Sequence, residues 1–311
     1  MKKQKIHNIA VIGAGLMGLG IGVEYARFGY DVKLYNTDKT SSESAELRAG
    51  EILDLMVKTR LITRNTAKAA LSRLVFLTGI SETASGADLV VESVLENLAL
   101  KQEIFAKLDE ICPPPVILCT NTSSLRVTDI ASRSKHRERI LATHYTQPPH
   151  FAPLVEVVAG DKTDPAIVPV VVKILRDMHK MVVVCKDTPR FLQNRIQKAI
   201  GQECQAMVDE GLATPEMIDN VICFGFGRRM GYTGYFKRLD LIGLDFASSL
   251  DKAKGTQPWQ PIAEHVARGE TGMASGKGFY EWPKEKREEF LNRYHTELIR
   301  LMRQDIERGD I

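Results

Sequence analysis

The sequence predicts an α/β fold, in which a doubly wound, mostly parallel sheet is followed by an all-helical C-terminal domain. Two observations favour it. Up to Asp187, short apolar runs rich in β-branched residues alternate with helical patterns, as expected when helices cross over between parallel strands. After Asp187 the segments are helical and punctuated by glycine, without a convincing strand run.

The strands and helices follow one another regularly along the first part of the chain. A helix is predicted through Glu24 to Phe28, and the stretch from Lys39 to Arg73 is predicted as two helices broken near Leu61 to Asn65. Further helices are LALKQEIFAKLDEI and the segment ending KILRDMHK, and right-handed crossovers are expected. The predicted strands are NIAVIG, YDVKLY, LVFLTG, ADLVVES, PVILCTN, RILATHY, LVEVV and MVVVC.

The change of pattern places a domain boundary near Thr188, which gives domains at 1–187 and 188–311. In the second domain, the tail from Pro283 to Glu307 carries apolar residues at helical spacing among many charges. This pattern predicts an amphipathic helix that covers a subunit or domain surface.

Composition excludes several classes of protein. The chain has 311 residues, 44% of them hydrophobic, and a net charge of only +3, so no nucleic-acid or membrane partner is expected. The basic start MKKQK imitates a secretory signal, but His7 and Asn8 interrupt the apolar run that follows. An odd number of unpaired cysteines among mostly apolar neighbours favours buried, reduced thiols in the cytoplasm and no metal site: Cys112, Cys119, Cys185, Cys204 and Cys223.

A glycine-rich turn, GAGLMG, joins the first predicted strand to the first helix. Gly13 would permit the tight turn, Gly15 would let a pyrophosphate approach the backbone, and Gly18 would let the helix pack closely on the strand. Amide hydrogens at the start of the helix, around Leu16 and Met17, favour an anion. The turn therefore predicts a Rossmann-type dinucleotide site.

The end of the second strand bears on the choice of dinucleotide. An acidic residue there normally binds the ribose hydroxyls of NAD, but this chain has Asn36, with Asp38 two residues later. Asn36 can bond a hydroxyl without repelling a 2′-phosphate, and Asp38 would restore the preference. NAD is predicted, with NADP as the alternative.

The run LVEVV places the carboxylate of Glu156 inside an apolar strand, where a charge needs a partner. The nearest candidates along the chain are His144 and His150, and His150 is expected to be exposed because it lies in a proline-rich turn. The alternative is a structural ion pair of Glu156 with a lysine or arginine.

Six stretches in the same order resemble the L-3-hydroxyacyl-CoA dehydrogenase family over nearly the whole chain. They are GAGLMG, VVESVLENLALKQEIF, NTSSLRVTDIA, HYTQPPHFAPLVEVV, PRFLQNRI and GKGFY. The resemblance implies a dinucleotide-binding domain followed by a helical domain that mediates dimerisation. A homodimer is therefore expected.

The resemblance also implies roles for individual residues. His144 falls on the catalytic base, and Glu156 on the carboxylate that holds its imidazole. Ser123 falls on a serine that bonds the substrate oxygen, and Asn194 on an active-site asparagine of the second domain. The alternatives are that Ser123 caps the following helix and that Asn194 is an ordinary polar residue on a helix.

Three more residues are implied to lie beside the cofactor. Glu96 and Lys101, from an E-N-L-x-x-K pattern, resemble residues next to the ribose, although a solvated ion pair would give the same pattern. Asn121, from NTSSL, is the third.

The substrate is less determined. The family typically has H-F-F-N-P starting at the base, whereas this chain has H-Y-T-Q-P-P, with Thr146 and Gln147. The Pro-Pro pair is similar to relatives that oxidise free small hydroxy acids, such as the gulonate dehydrogenase or lambda-crystallin branch and carnitine dehydrogenase. It is also similar to a pyridine-carboxylate dehydrogenase of vitamin B6 breakdown. Oxidation of a 3-hydroxyacyl-CoA or related 3-hydroxy acid is predicted. A free hydroxy acid, an aromatic aldehyde or a non-catalytic NAD(H)-binding role are the alternatives. The predicted helices between Lys39 and Arg73 also carry cations that could bind the phosphates of CoA or simply form a solvated face. They are Lys58, Arg60, Arg64, Lys68 and Arg73.

Overall fold

The computed structural model describes residues 6–311. The chain forms two compact units that divide between Ala199 and Ile200.

The described part of the first unit contains one sheet of eight strands, and every apolar run predicted as a strand is one. The strand order is β3-β2-β1-β4-β5-β6-β7-β8, and all neighbours are parallel except β6 and β7. The strands are β1 (Asn8–Ile12), β2 (Asp31–Tyr35), β3 (Leu74–Leu77), β4 (Leu89–Glu92), β5 (Ile117–Thr120), β6 (Ile140–Tyr145), β7 (Leu154–Ala159) and β8 (Met181–Lys186).

Helices cover both faces of this sheet, because alternate side chains of a strand point to opposite sides. Ile9 and Val11 of β1 pack in one core and Ala10 and Ile12 in the other. Helices α1 (Leu16–Arg27), α2 (Lys39–Lys58), α3 (Arg64–Leu71) and α7 (Ile167–Asp177) contribute to the first core. Helices α4 (Ile80–Ala84), α5 (Leu98–Ile111) and α6 (Val127–Ile130) contribute to the second. The doubly wound fold class is confirmed.

The predicted break in the long helical stretch is also confirmed. Helix α2 ends at Lys58, and Arg60 adopts a left-handed conformation with φ of 61°. Helix α3 begins after Thr63, whose hydroxyl accepts a hydrogen bond from the backbone N–H of Thr66. A threonine in this position satisfies an amide that would otherwise lack a partner.

The second unit is helical, as predicted. Helix α8 (Gln193–Asp209) runs across the division, and five more helices follow: α9 (Pro215–Asn220), α10 (Gly227–Ile242), α11 (Leu244–Ala253), α12 (Gln260–Ala267) and α13 (Lys284–Arg308). The predicted amphipathic tail is α13. Within the described part of this unit, β pairing is limited to isolated bridges of Lys277 with Gly272 and Glu281.

The GKGFY motif folds around a buried carboxylate in the second unit. Asp240 of α10 accepts hydrogen bonds from the backbone N–H groups of Phe279 and Tyr280 and from the indole of Trp282. A Cβ on Gly278 would lie 2.3 Å from a carboxylate oxygen of Asp240, so only glycine fits there. The motif has a structural explanation within this unit.

The cysteines differ in burial. Cys112 and Cys119 are buried as predicted, but Cys185 and Cys204 are half-buried, and Cys223 is exposed. The prediction of burial was therefore wrong for Cys223, which lies in a short π-helical stretch, Val221–Phe226, with no buried side chain.

No helix within residues 6–311 is long and apolar enough to cross a membrane.

Candidate active site

Glu156 pairs with His144. The antiparallel register of β6 and β7 places the two residues directly opposite each other. The Nδ1 atom of His144 lies 2.8 Å from Oε2 of Glu156, and the exposed fractions of the two residues are only 4% and 1%. Adjacent positions on paired strands hold the imidazole in one orientation.

The second oxygen of Glu156 binds the start of α8. Oε1 accepts hydrogen bonds from the backbone N–H groups of Leu192 and Gln193 at 2.9 and 3.0 Å. Burial alone raises the pKa of Glu156, but the hydrogen bonds from His144 and from these amides outweigh it and hold the pKa below its ordinary value. Glu156 is therefore an anion, and within residues 6–311 its side-chain partner is His144 rather than a lysine or arginine.

The segment before α8 has an unusual backbone. Arg190 and Phe191 both have positive φ, 69° and 46°, although neither is glycine. The buried ring of Phe191 packs against His144, with ring centroids 5.8 Å apart. This left-handed turn brings α8 onto Glu156 while it closes one side of the imidazole.

Ser123 and Asn194 are brought together. The side-chain amide of Asn194 donates to the backbone carbonyl of Ser123 at 2.8 Å. Ser123 is exposed, and within the described residues its hydroxyl makes no hydrogen bond. The capping alternative for Ser123 is wrong, because α6 begins only after Arg126. The hydroxyl of Ser123 is free to meet a ligand.

Glu96 organises the same loop. Its Oε1 accepts hydrogen bonds from the hydroxyl of Thr122, from the backbone N–H of Ser123 and from both the backbone and the hydroxyl of Ser124. Burial raises the pKa of Glu96, but these bonds and Lys101 outweigh it, so the pKa is lowered.

Lys101 is buried, so the solvated ion-pair alternative was wrong. Its Nζ lies 2.7 Å from Oε1 of Glu92 and 3.4 Å from Oε2 of Glu96. Glu92 is fully buried and also accepts from the backbone of Val94 and the hydroxyl of Thr120. Sequence reasoning missed Glu92, although a carboxylate at the end of the apolar run ADLVVES gave the same signal as Glu156 in LVEVV.

The glycine-rich turn has room for an anion. Gly13 has φ of 104°, and a Cβ on Gly18 would lie 1.7 Å from the carbonyl oxygen of Gly13. At Gly15 nothing lies within 4 Å of such a Cβ. Gly15 precedes α1, where Leu16 is exposed and Met17 half-buried. The start of this helix is therefore open beside Gly15, as a bound pyrophosphate requires.

The polar residues around the turn test the fit of a dinucleotide further. The side-chain amide nitrogen of Asn36 is buried without a hydrogen-bond partner, a costly state that a ligand oxygen would relieve. Asp38 is exposed and caps α2 through the backbone N–H of Ser41. Asn121 donates to the hydroxyl of Ser93 and accepts from the backbone of Tyr145. The site fits NAD, and the roles of Asp38 and Asn121 stay predictions.

His150 is buried, contrary to expectation. The turn between β6 and β7 folds onto α1, where a Cβ on Gly20 would lie 2.6 Å from Nδ1 of His150. The buried Nζ of Lys180 fixes this turn through the carbonyl of Pro149 at 2.6 Å and pairs with Glu24 at 3.0 Å. A proline-rich turn was expected in solvent, but a missing side chain at Gly20 lets it pack closely.

The cationic residues considered for CoA phosphates lie on or next to α2 and α3. Four are exposed: Lys58, Arg60, Arg64 and Lys68. Arg73 is half-buried and donates to the carbonyl of Ala69. Exposure fits a phosphate partner and a solvated face equally well.

A doubly wound sheet with a glycine-rich turn, together with a buried histidine–carboxylate pair, defines a nicotinamide-dependent oxidoreductase. Residues 8–188 match the family model "3-hydroxyacyl-CoA dehydrogenase, NAD binding domain", and residues 191–282 match "3-hydroxyacyl-CoA dehydrogenase, C-terminal domain". The chain belongs to the NAD-dependent 3-hydroxyacyl-CoA dehydrogenase family.

Relatives within this family differ in substrate. A probable 3-hydroxybutyryl-CoA dehydrogenase of Bacillus subtilis is 34% identical over 89% of this chain and 98% of its own length. A 5-formyl-3-hydroxy-2-methylpyridine 4-carboxylate 5-dehydrogenase of Mesorhizobium japonicum is 31% identical over 90% and 92%. The crystal structure of a 3-hydroxyacyl-CoA dehydrogenase from Archaeoglobus fulgidus superposes with a TM-score of 0.78 at 33% identity, over 95% of this chain and 99% of that one.

Proposed function

We propose that this protein oxidises the secondary alcohol of a 3-hydroxyacyl-CoA or a related 3-hydroxy acid to the 3-keto product. The single observation that carries the proposal is the buried contact between His144 and Glu156. An imidazole held by a carboxylate through Nδ1 has Nε2 free to accept a proton.

Each residue of the site has a role in the proposed reaction. Bound NAD⁺ supplies the acceptor for the carbinol hydride. His144 takes the hydroxyl proton at Nε2, and Glu156 fixes the ring and stabilises the imidazolium that forms. The hydroxyl of Ser123 and the side chain of Asn194 position the alcohol oxygen and stabilise the charge that develops there.

The proposed cofactor site combines the turn with its polar surroundings. The pyrophosphate would be held by the backbone of Gly13, Gly15 and Gly18 with Leu16 and Met17. Asn36 and Asp38 would bind the adenosine ribose, and Glu96 and Asn121 would lie beside the rest of the cofactor. The buried Lys101 would act there by holding the carboxylate of Glu96. This site would lie in a domain at 1–187, with a helical substrate and dimerisation domain at 188–311. NAD is the proposed cofactor, and NADP is the alternative.

A second candidate function is the dehydrogenation of a free hydroxy acid or of an aromatic carboxylate aldehyde. One observation favours it: the hydroxyl of Thr146, two residues after the base, bonds the side-chain oxygen of Gln193 at 2.6 Å. A polar pair here suits a polar substrate better than an acyl chain. The similarity to the Mesorhizobium japonicum enzyme, named for a pyridine carboxylate, points the same way.

The test is an absorbance assay at the NADH band with NAD⁺ and NADP⁺. The panel compares 3-hydroxybutyryl-CoA with free 3-hydroxybutyrate, carnitine, gulonate and an aromatic aldehyde acid. Turnover of a secondary alcohol that is lost in His144→Ala, with NADH affinity retained, supports the proposal. Oxidation of the aldehyde alone selects the second function. NADH binding without any turnover indicates a non-catalytic binding protein.

We further propose that the protein works as a homodimer in the cytoplasm. The support is the family resemblance for the dimer and the content of free cysteines for a reducing compartment.

A further inference from the structure

A shallow, open cleft of about 280 Å³ lies beside the Ser123–Asn194 contact. The five side chains that line it belong to polar or cationic residues: Ser124, Arg190, Asn194, Gln197 and Lys198. An acyl chain needs apolar walls, whereas two cations without a lining carboxylate suit a small anion.

The two cations are available to a ligand. Arg190 and Lys198 are exposed, and within residues 6–311 neither forms an ion pair. Glu96, the carboxylate that bonds Ser124, is already occupied by four hydrogen bonds and by Lys101. On α8, Asn194 and Lys198 are four residues apart and therefore lie on the same side of the helix.

The backbone at Arg190 is strained in a way that glycine would avoid. Its φ is 69°, and its N–H donates to the carbonyl of Ser124 at 3.1 Å. Non-glycine residues with positive φ are strained, and they cluster at binding sites. The next residue, Phe191, packs on the ring of His144. The strained residue thus directly precedes the side chain that packs on the proposed base.

We propose that Arg190, assisted by Lys198, binds the carboxylate of the substrate, which is then a small free hydroxy acid rather than a CoA ester. A planar guanidinium binds a carboxylate through two parallel hydrogen bonds, and Lys198 adds a second positive charge. Asn194, which also lines the cleft, links this subsite to Ser123. The inference rests on the proposed dehydrogenase function and specifies its substrate class.

The test measures binding without turnover. The protein, saturated with NADH, is titrated by calorimetry with acetoacetate and with its uncharged methyl ester. The wild-type protein should bind acetoacetate more tightly than the ester. Arg190→Gly should weaken the affinity for acetoacetate about tenfold to a hundredfold and leave the affinity for the ester unchanged. Glycine suits the left-handed backbone, so this variant should fold. Asparagine also tolerates that conformation, so Arg190→Asn serves as the second variant.

Lys107→Ala is the matched control, because Lys107 is an exposed helical cation without an ion pair in the described chain. It should behave as wild type. Equal wild-type affinity for acid and ester overturns the inference, as does a preference that survives in both Arg190 variants.

Thioester substrates show whether Arg190 binds a substrate carboxylate or a phosphate of CoA. The catalytic efficiency towards 3-hydroxybutyryl-CoA is compared with the efficiency towards the matching N-acetylcysteamine thioester, which lacks phosphates. If Arg190→Gly lowers only the efficiency towards the CoA ester, a CoA phosphate is the partner and the carboxylate inference is overturned. Oxidation of 3-hydroxybutyryl-CoA without any acid preference removes the inference and keeps the proposed function. An Arg190-dependent acid preference without turnover of any substrate does the reverse.

Discussion

Glu156 shares one negative charge among donors from two parts of the chain. One oxygen meets His144 on the neighbouring strand, and the other meets the first amides of α8. A buried carboxylate with three donors is stable as an anion, so it can fix the imidazole and later balance its charge. The residue that holds the imidazole of His144 also anchors the helix that carries Asn194.

Glu156→Gln should lower kcat about 10²- to 10⁴-fold, because the amide keeps the size of the side chain but removes the charge that stabilises the imidazolium. NADH affinity should stay within about twofold, since the change lies outside the glycine-rich turn. Single-turnover and steady-state rates measure the first effect and NADH fluorescence the second. Full turnover in the variant would exclude the proposed role.

His150 should make stability depend on pH. Burial, followed by the charges of Lys180 and Arg27, lowers its pKa from the ordinary value of 6.5. Between that value and the lower folded pKa the unfolded chain binds more protons, so stability falls as pH drops through this window. The melting temperature of wild type should therefore fall more between about pH 7.5 and 5.5 than that of His150→Gln. An equal fall in both proteins contradicts this account.

The glycine-rich turn and α1 act as one element with two separate demands. At Gly18 the constraint is internal, because a side chain would collide with the carbonyl of Gly13. At Gly15 the space is open, so the folded chain itself does not require glycine there, and the proposed reason is the approach of a pyrophosphate. The pattern G-x-G-x-x-G predicted a role for each of these glycines. The structure shows that, of the two, only Gly18 is required by the packing of the chain itself.

Gly18→Ala should lower the melting temperature, because the backbone must shift to admit the methyl group. Gly15→Ala should keep the wild-type melting temperature and weaken NADH binding about tenfold or more, since the methyl group projects where the cofactor backbone contact is proposed. Thermal denaturation and NADH titration of both variants give the comparison. Unchanged NADH affinity in Gly15→Ala would place the pyrophosphate elsewhere.

The last helix of the molecule, α13, exposes apolar side chains. Ile299, Met302 and Ile306 of α13 are exposed at spacings of three and four residues, which puts them on one side of the helix. An exposed apolar stripe is typical of a subunit interface. It supports the homodimer proposed from the family resemblance.

Sedimentation should therefore give twice the mass of one chain. Met302→Glu should shift the equilibrium towards monomer, because a charge within an apolar interface loses its hydration without gaining a partner. Arg303→Glu, next to it on the helix, is the control and should remain dimeric if this stripe forms the interface. A wild-type monomer at all concentrations, or equal behaviour of both variants, contradicts the expectation.

The sequence by itself determined the strands, the order of the helices and the glycine-rich turn. These features depend on periodicity and on local backbone chemistry, and residues close together in the chain determine both. It also indicated that Glu156 needed a partner, and the family resemblance singled out His144.

Only the tertiary structure decided which distant groups meet. It paired Lys101 with the overlooked Glu92, buried His150 against Gly20 and joined both oxygens of Glu156 to their donors. It also revealed the left-handed backbone of Arg190 beside a cationic cleft. Burial and pairing depend on the packing of elements far apart in the chain, so residue spacing alone does not encode them.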